Sequence, residues 1–212
     1  PTVYKLWAGL KTGYIFDNSI RTGLDITSGL RYKLFAEYYK QVNEKKSNLY
    51  VVGFDGRAYF KLHRNLILAS RLAGSRSFGS SLLLYYLGSV DNWMNLSTKY
   101  PTYNSDIEYN KDLNWVYQAL ATNMRGFNQN VRNGSSFTLS NTEIRWPIFR
   151  FFANRPINSD VLHNFQIVGF FDAGAAWNGF LPDSKESYNF TTIDKGPIVV
   201  VIDKNKSPIV YG

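Results

Sequence analysis

Apolar and polar residues alternate one by one along much of the chain. In residues 3–16, one face of the pattern is apolar or aromatic and the other is rich in Lys and Gly. The same two-faced alternation recurs in residues 27–42, 48–62, 65–77, 136–149 and 161–177. A sustained period of two is typical of β-strands whose two faces meet different surroundings. The sequence therefore predicts six long strands.

These predicted strands are long enough to cross a membrane. Strands of soluble proteins usually have about five or six residues, whereas a tilted membrane-spanning strand needs about 9 to 11. Aromatic residues near the predicted strand ends, such as Tyr14, Phe16 and Tyr38, fit the interfacial girdles of outer-membrane barrels. A soluble sandwich or a ligand-binding barrel also alternates, but a charged face opposite a nearly pure apolar face favours the membrane. The expected fold is an all-β, antiparallel transmembrane β-barrel.

The alternation breaks in a long loop, residues 78–135. A loop of this length inside a compact domain is unusual and is commonly functional. Within "DLNWVYQALATNM", the three- and four-residue spacing of Leu113, Val116, Tyr117 and Leu120 predicts a short amphipathic helix, with Asp112 as its N-cap. Near the end of the chain, a hairpin around "DKNKS" is expected to join "IVVVI" to "PIVYG".

The amino-acid composition limits the kinds of site and partner that we expect. The 212 residues contain no Cys and only two His in unrelated segments, so we expect no disulfide framework, metal site or cofactor. The net charge is +8, but Lys and Arg are spread along the chain and mostly alternate with apolar residues, so we expect no nucleic-acid partner. No apolar run approaches the roughly 18 residues of a membrane-spanning helix, so a membrane could be crossed only by strands.

Arg125 stands in the long loop, between Met124 and Gly126, and two strands carry acids that could answer its charge. Glu143 lies on the polar face of one predicted strand, and Asp172 lies on the polar face of the next. An Arg carried inward on a loop could pair with both carboxylates through charge-assisted contacts, and its guanidinium group allows bidentate ones. Gly126 would allow a tight turn, and Phe127 could pack against an apolar part of the wall.

Each of these residues also has a simpler interpretation. Arg125 could be a solvated loop charge, and Glu143 and Asp172 could be ordinary charges of a barrel lumen. Two facing acids could also suggest paired-carboxylate catalysis. No sugar-binding context accompanies them, so we expect no enzyme and no catalytic residue.

Three motifs carry a family resemblance. In order along the chain, "MRGF", "TEIRWP" and "VGFFDAGAAW" resemble signatures of the BamA/TamA-like superfamily, also called the bacterial surface antigen family. The family's Arg-Gly-Phe loop motif falls on Arg125, Gly126 and Phe127, and its strand Glu falls on Glu143. Its Phe-x-Asp-x-Gly element falls on Phe170 or Phe171, Asp172 and Gly174. The resemblance implies that this loop folds back into the barrel and that Arg125 contacts Glu143 and Asp172.

Weaker sequence similarity to the family extends over most of residues 17–177. "FDNSIRTGLDITSGLRYKLFAEYY" and "LYYLGSVDNW" resemble elements that precede the family's loop motif, although Met124 stands where the family has a branched aliphatic residue. The stretch between "YYLGS" and "MRGF" is longer than a compact member needs and resembles long-looped, Bacteroidetes-type members. The family barrel has sixteen strands, so the resemblance implies that residues 1–212 form its later middle part. The N-terminal barrel half, the closing strands and the periplasmic domains are then absent from this stretch.

The resemblance also implies a function and a location. Family members reside in the outer membrane of Gram-negative bacteria, where they fold and insert β-barrel proteins through a lateral seam. The implied partners are unfolded outer-membrane proteins or a secreted polypeptide, outer-membrane lipid, and accessory assembly subunits. A dedicated polypeptide secretion translocator is the first alternative, and a passive porin or ligand-binding barrel is the second.

Overall fold

The computed structural model describes residues 6–23, 26–43, 47–89, 103–104, 107, 109–153, 155–182, 190–194, 199–203 and 209–212. These residues form mainly β-strands, with two short helices. The strands are β1 (Trp7–Asp17), β2 (Ile20–Gly23), β3 (Ile26–Gln41), β4 (Asn48–His63), β5 (Leu66–Gly79), β6 (Leu82–Gly88), β7 (Trp115–Asn123), β8 (Arg132–Gly134), β9 (Ser136–Trp146), β10 (Ile167–Trp177), β11 (Phe190–Asp194), β12 (Val199–Asp203) and β13 (Ile209–Tyr211). The helices are α1 (Ile148–Phe152) and α2 (Asp160–Asn164).

One large antiparallel sheet contains most of the strands. Its order is β1-β3-β4-β5-β9-β10-β13, and β2 pairs with β3. Within the part of the chain that the structure describes, this sheet is open, with β1 and β13 at its edges. The expected all-β, antiparallel class is therefore confirmed at the level of the sheet.

The six predicted strands correspond to β1, β3, β4, β5, β9 and β10, with differences at their ends. Residues 3–5 of the first lie outside the described residues. The fifth ends at Trp146 rather than 149, because Pro147 has no backbone N–H for the ladder and α1 follows it. The sixth begins at Ile167, because α2 occupies Asp160–Asn164.

The long loop contains a second, three-stranded sheet of order β7-β6-β8. β6 and β7 are parallel, whereas β6 and β8 are antiparallel. The predicted helix is therefore wrong: most of its residues form β7, which runs from Trp115 to Asn123. The distant strand β6 supplies the backbone partners, and this pairing overrides a local spacing that also suited a helix. β5 extends to Gly79, so we call the rest of this loop, residues 80–135, the insertion.

The predicted C-terminal hairpin is also wrong. β12 pairs with β11, and β13 instead pairs with β10, where Ile209 lies opposite Ala175. β13 thereby forms the edge of the large sheet, and just beyond it the backbones of Asp172 and Gly212 exchange two hydrogen bonds of 2.8 and 2.9 Å.

The two faces of the large sheet differ in character. One face, which we call the apolar face, carries exposed aliphatic and aromatic side chains on β1, β3, β4, β5, β9 and β10. Examples are Leu10, Leu34, Phe54, Leu72 and Phe171. Aromatic rings stack across three of its strands, since the Tyr38 and Tyr50 ring centroids are 4.9 Å apart and those of Tyr50 and Phe78 are 5.3 Å apart. Among the described residues, this face has no covering layer of protein.

The opposite face, which we call the mixed face, is covered at one end by the insertion. Leu49 and Val51 of β4 and Phe137 and Leu139 of β9 are buried there. Against them pack the insertion residues Leu83, Tyr85, Leu87 and Met124. This two-layer contact is the hydrophobic core of the described structure.

Tyr85 shows how closely the two layers fit. Its ring meets that of Phe137 edge to face at 4.9 Å, and its hydroxyl lies 2.9 Å from the Ser75 Oγ. Burial raises the pKa of Tyr85 to about 12, so the hydroxyl stays protonated and can donate to Ser75 at neutral pH. A buried polar atom is thereby satisfied within the core.

No helix in the described ranges is long and apolar enough to span a membrane.

We predict that Leu87→Ala destabilises the fold by about 3 kcal/mol, because it leaves a cavity between the two layers. Leu87 is fully buried in the core, whereas Leu181 is exposed, so Leu181→Ala is the matched control and should cost well under about 1 kcal/mol. The measurement is the free energy of unfolding from urea titration in detergent solution. Equal losses for the two variants would show that the insertion does not pack on the mixed face.

Candidate functional site

The candidate site is built on the turn that leaves β7. Met124 is fully buried in the core, and its backbone N–H donates to the Gly88 carbonyl oxygen at 3.0 Å. Gly174 of β10 leaves room for it, since a Cβ added there would lie 2.9 Å from the Met124 Sδ. The residue before Arg125 is therefore fixed by both backbone and side chain. This fixed position aims Arg125 at the wall formed by β9 and β10.

Gly126 and Phe127 shape the turn in different ways. Gly126 has φ +82°, and an added Cβ would meet nothing within 4 Å, so glycine is favoured by backbone conformation rather than by close approach. Phe127 is partly buried and packs against the hydrophobic core, and its carbonyl oxygen accepts from the Ser89 N–H at 3.2 Å. The turn is thus held on both sides of Arg125.

Arg125 makes three hydrogen bonds to the Asp172 carboxylate. Its backbone N donates to Oδ2 at 2.9 Å, its Nε to Oδ2 at 3.0 Å, and its Nη2 to Oδ1 at 2.8 Å. Asp172 is fully buried. A bidentate guanidinium–carboxylate pair with an added backbone donor is among the strongest arrangements available to a buried acid.

Arg125 also bridges to the neighbouring strand. Its Nη1 donates to the Glu143 Oε1 at 2.6 Å, and the Arg145 Nε donates to the other oxygen, Oε2, at 2.8 Å. The Arg125 guanidinium carbon lies 4.1 Å from the centroid of the Phe170 ring, a distance that suits a cation–π contact. One side chain of the insertion thus joins β9 to β10.

Strand register explains why one arginine can reach both acids. Glu143 lies opposite Phe170, and Asp172 lies opposite Asn141, so the two acids are diagonal neighbours on the mixed face. The hydrogen bonds that Arg125 donates to Asp172 and Glu143 outweigh the effect of burial and raise the pKa of Arg125 above its usual value. The arginine therefore stays charged throughout the physiological pH range.

A second arginine network lies beside the first, and the sequence pattern alone did not identify it. Arg71 of β5 binds Asp55 of β4 through Nε to Oδ1 at 3.1 Å and through Nη2 to Oδ2 at 2.6 Å. Its Nη1 donates to the Thr122 Oγ1 of β7 at 2.9 Å. The tight turn at residues 64–65 does not give this contact by itself, because a register shift between Lys61 and His63 is needed to make Asp55 a diagonal neighbour of Arg71.

The two networks border a cleft of about 300 Å³ on the mixed face. Four arginines line it, namely Arg57, Arg71, Arg125 and Arg145, together with Glu143. Asp55, Glu143 and Asp172 all accept from guanidinium groups, so none is a free carboxylate placed for acid–base chemistry. In the ranges that the structure describes, no group of three or more His, Asp or Glu could hold a metal ion. The arrangement joins the insertion to the sheet.

The chain matches no family model, no curated protein and no solved structure.

We predict that Arg125→Ala destabilises the fold by about 3 kcal/mol, because the buried Asp172 carboxylate loses its charged partner. Arg125→Lys should recover only part of the loss, since an ammonium cannot reproduce the bidentate contact. Arg57→Ala is the matched control and should cost no more than about 1 kcal/mol, because Asp55 keeps its pair with Arg71. Free energies of unfolding from urea titration decide the point, and a loss for Arg125→Ala no larger than for Arg57→Ala would contradict it.

Proposed function

We propose that this chain is part of a sixteen-stranded transmembrane β-barrel in the outer membrane of a Gram-negative bacterium. The apolar face supports the proposal, because its exposed side chains are those that lipid, rather than water, accommodates. Among its described residues, the charged ones are Lys40 and Arg76, and both lie near the end of the sheet that the insertion covers. Strands β1, β3, β4, β5, β9 and β10 have 11 to 16 residues, enough to cross a bilayer at a tilt.

We further propose that the barrel folds and inserts other outer-membrane β-barrel proteins. The observation that carries this proposal is the contact of Arg125 with Glu143 and Asp172. It is the contact that the resemblance to the BamA/TamA-like superfamily implies for the Arg-Gly-Phe loop. The three residues come from the three segments whose motifs carry that resemblance.

The mechanism that we propose is mechanical and involves no covalent chemistry. Arg125 and Arg71 hold the insertion on the mixed face, so β4, β5, β9 and β10 act as one stiff wall. Unfolded clients would then pair with strands at a lateral seam formed outside this wall, in the same barrel. Accessory assembly subunits and outer-membrane lipid are the further partners in this proposal.

The insertion favours assembly over passive transport of solutes. Its sheet covers part of the mixed face, which would line the lumen of a closed barrel, and its core contacts leave Leu87 and Met124 fully buried. A porin keeps an aqueous channel open along the lumen. A fixed three-stranded sheet on the wall would obstruct such a channel.

We predict that depletion of the full-length protein in its source bacterium lowers many unrelated outer-membrane barrel proteins. Complementation with Arg125→Ala should restore them only in part, whereas the matched Arg57→Ala variant should restore them fully. Quantitative proteomics of isolated outer membranes is the measurement, with the level of each variant followed by immunoblot.

The other outcomes identify the alternatives. Loss of a single secreted protein, with barrel proteins intact, would replace the proposal with a dedicated translocator. Unchanged barrel and secreted proteins, together with small-solute conductance in planar bilayers, would indicate a passive porin.

A further inference from the structure

The link between β9 and β10 exposes an unusual number of apolar side chains. It comprises residues 147–166, of which all but residue 154 are described, and it includes both helices. Phe152 is 63% exposed and Val161 is 76% exposed, and Phe149, Leu162 and Phe165 are exposed as well. Exposed apolar clusters of this kind commonly mark a surface that meets a membrane or a partner.

These side chains sit on a fixed support. The ring centroids of Trp146 lie 5.7 Å from Phe151 and 5.9 Å from Phe152, and those of Phe149 and Phe165 are 5.5 Å apart. Arg64, in the neighbouring β4–β5 turn, donates from Nη1 to the Phe151 carbonyl oxygen. The link is therefore tied to two parts of the large sheet.

The link continues the apolar face at its margin. Trp146 lies on the apolar face, since it follows Ile144 at a spacing of two and pairs with Ile167. Trp146 contacts Phe151 and the exposed Phe152 of α1, and the ring of His63, at the end of β4, meets the Phe151 ring edge to face at 5.6 Å. The apolar surface of the sheet is therefore continuous with that of the link, through Trp146 and α1.

Basic residues accompany this aromatic surface. Arg150 is in the last turn of α1, Arg155 is exposed just beyond it, and Arg64 lies in the adjoining turn. Asp160 is the acid among the described residues of the link. Aromatic rings next to arginines suit the headgroup region of a bilayer, where rings lie at the apolar boundary and guanidinium groups meet phosphate.

We propose that the β9–β10 link is an interfacial membrane anchor, with its aromatic residues at headgroup depth and Arg150 and Arg155 on the phosphates of anionic phospholipids. The proposal rests on the proposed transmembrane barrel and adds a lipid-binding element at one rim. Such an element would fix the depth of β9 and β10, the strands that hold Glu143 and Asp172.

Site-directed spin labelling tests the anchor, because these 212 residues contain no Cys to compete for the label. The full-length protein, with any Cys elsewhere replaced by Ser, carries one label at a time through Phe152→Cys, Val161→Cys, Leu72→Cys or Tyr117→Cys. Vesicles are made of phosphatidylcholine with or without phosphatidylglycerol. Depth is read from relaxation by oxygen against relaxation by a water-soluble nickel chelate.

We expect the Leu72 label to lie deep in lipid, the Phe152 and Val161 labels at headgroup depth, and the Tyr117 label in water. Phosphatidylglycerol should deepen the Phe152 label, and Arg150→Gln with Arg155→Gln should abolish that shift. If the link labels are as accessible to nickel as the Tyr117 label while the Leu72 label is deep, the anchor is wrong and the barrel proposal stands. If the Leu72 label is in water, both proposals fail; a headgroup depth that is insensitive to phosphatidylglycerol overturns the phosphate contact.

Discussion

The carboxylate of Asp172 is the constraint on which the arrangement of the two sheets depends. It is fully buried on β10, and a buried charge costs several kcal/mol unless a partner compensates it. Arg125 compensates it with two side-chain donors and a backbone N–H, so the position of the loop backbone is fixed as well as that of the side chain. Met124, the preceding residue, is then held within the core. The positions of β6 and β7 are fixed in turn, because the last pair of residues in their parallel pairing, Gly88 and Asn123, lies next to this turn.

The mixed face uses two means of burial on a single surface. At one end, Leu49, Val51 and Phe137 are covered by apolar residues of the insertion, as in ordinary packing of one sheet on another. Toward the other end the strands carry Asp55 and Glu143, and arginines rather than apolar side chains satisfy them. Among the described residues, the apolar face has neither a covering layer of apolar side chains nor a network of ion pairs. The two faces of the sheet therefore require different surroundings.

The large sheet and its two faces could be predicted from the sequence, because period-two alternation is a local signal that each strand carries by itself. The same alternation placed Glu143 and Asp172 on polar faces that a loop arginine could reach, and the family resemblance implied that Arg125 contacts both. The insertion could not be predicted in this way. β6 is a short apolar run without a polar face, and β7 pairs with it in parallel across a long connection, so its conformation depends on a distant partner. Asp55 and Arg71 were missed for a related reason, because their contact appears only once the β4–β5 register is known.

The two arginine networks hold the same interface from opposite sides, since one arginine belongs to the insertion and the other to the large sheet. Arg125 reaches from the insertion to the wall, whereas Arg71 reaches from the wall to Thr122 of the insertion. Moving the insertion away would break both contacts, leave Asp172 unpaired and expose Leu87 and Met124. Where these losses together exceed about 5.5 kcal/mol, the state with the insertion moved away is populated by fewer than roughly one molecule in ten thousand. In the proposed barrel, an assembly cycle would therefore have to use strand movements outside the wall of β4, β5, β9 and β10, and this wall would form the fixed side of a seam that opens.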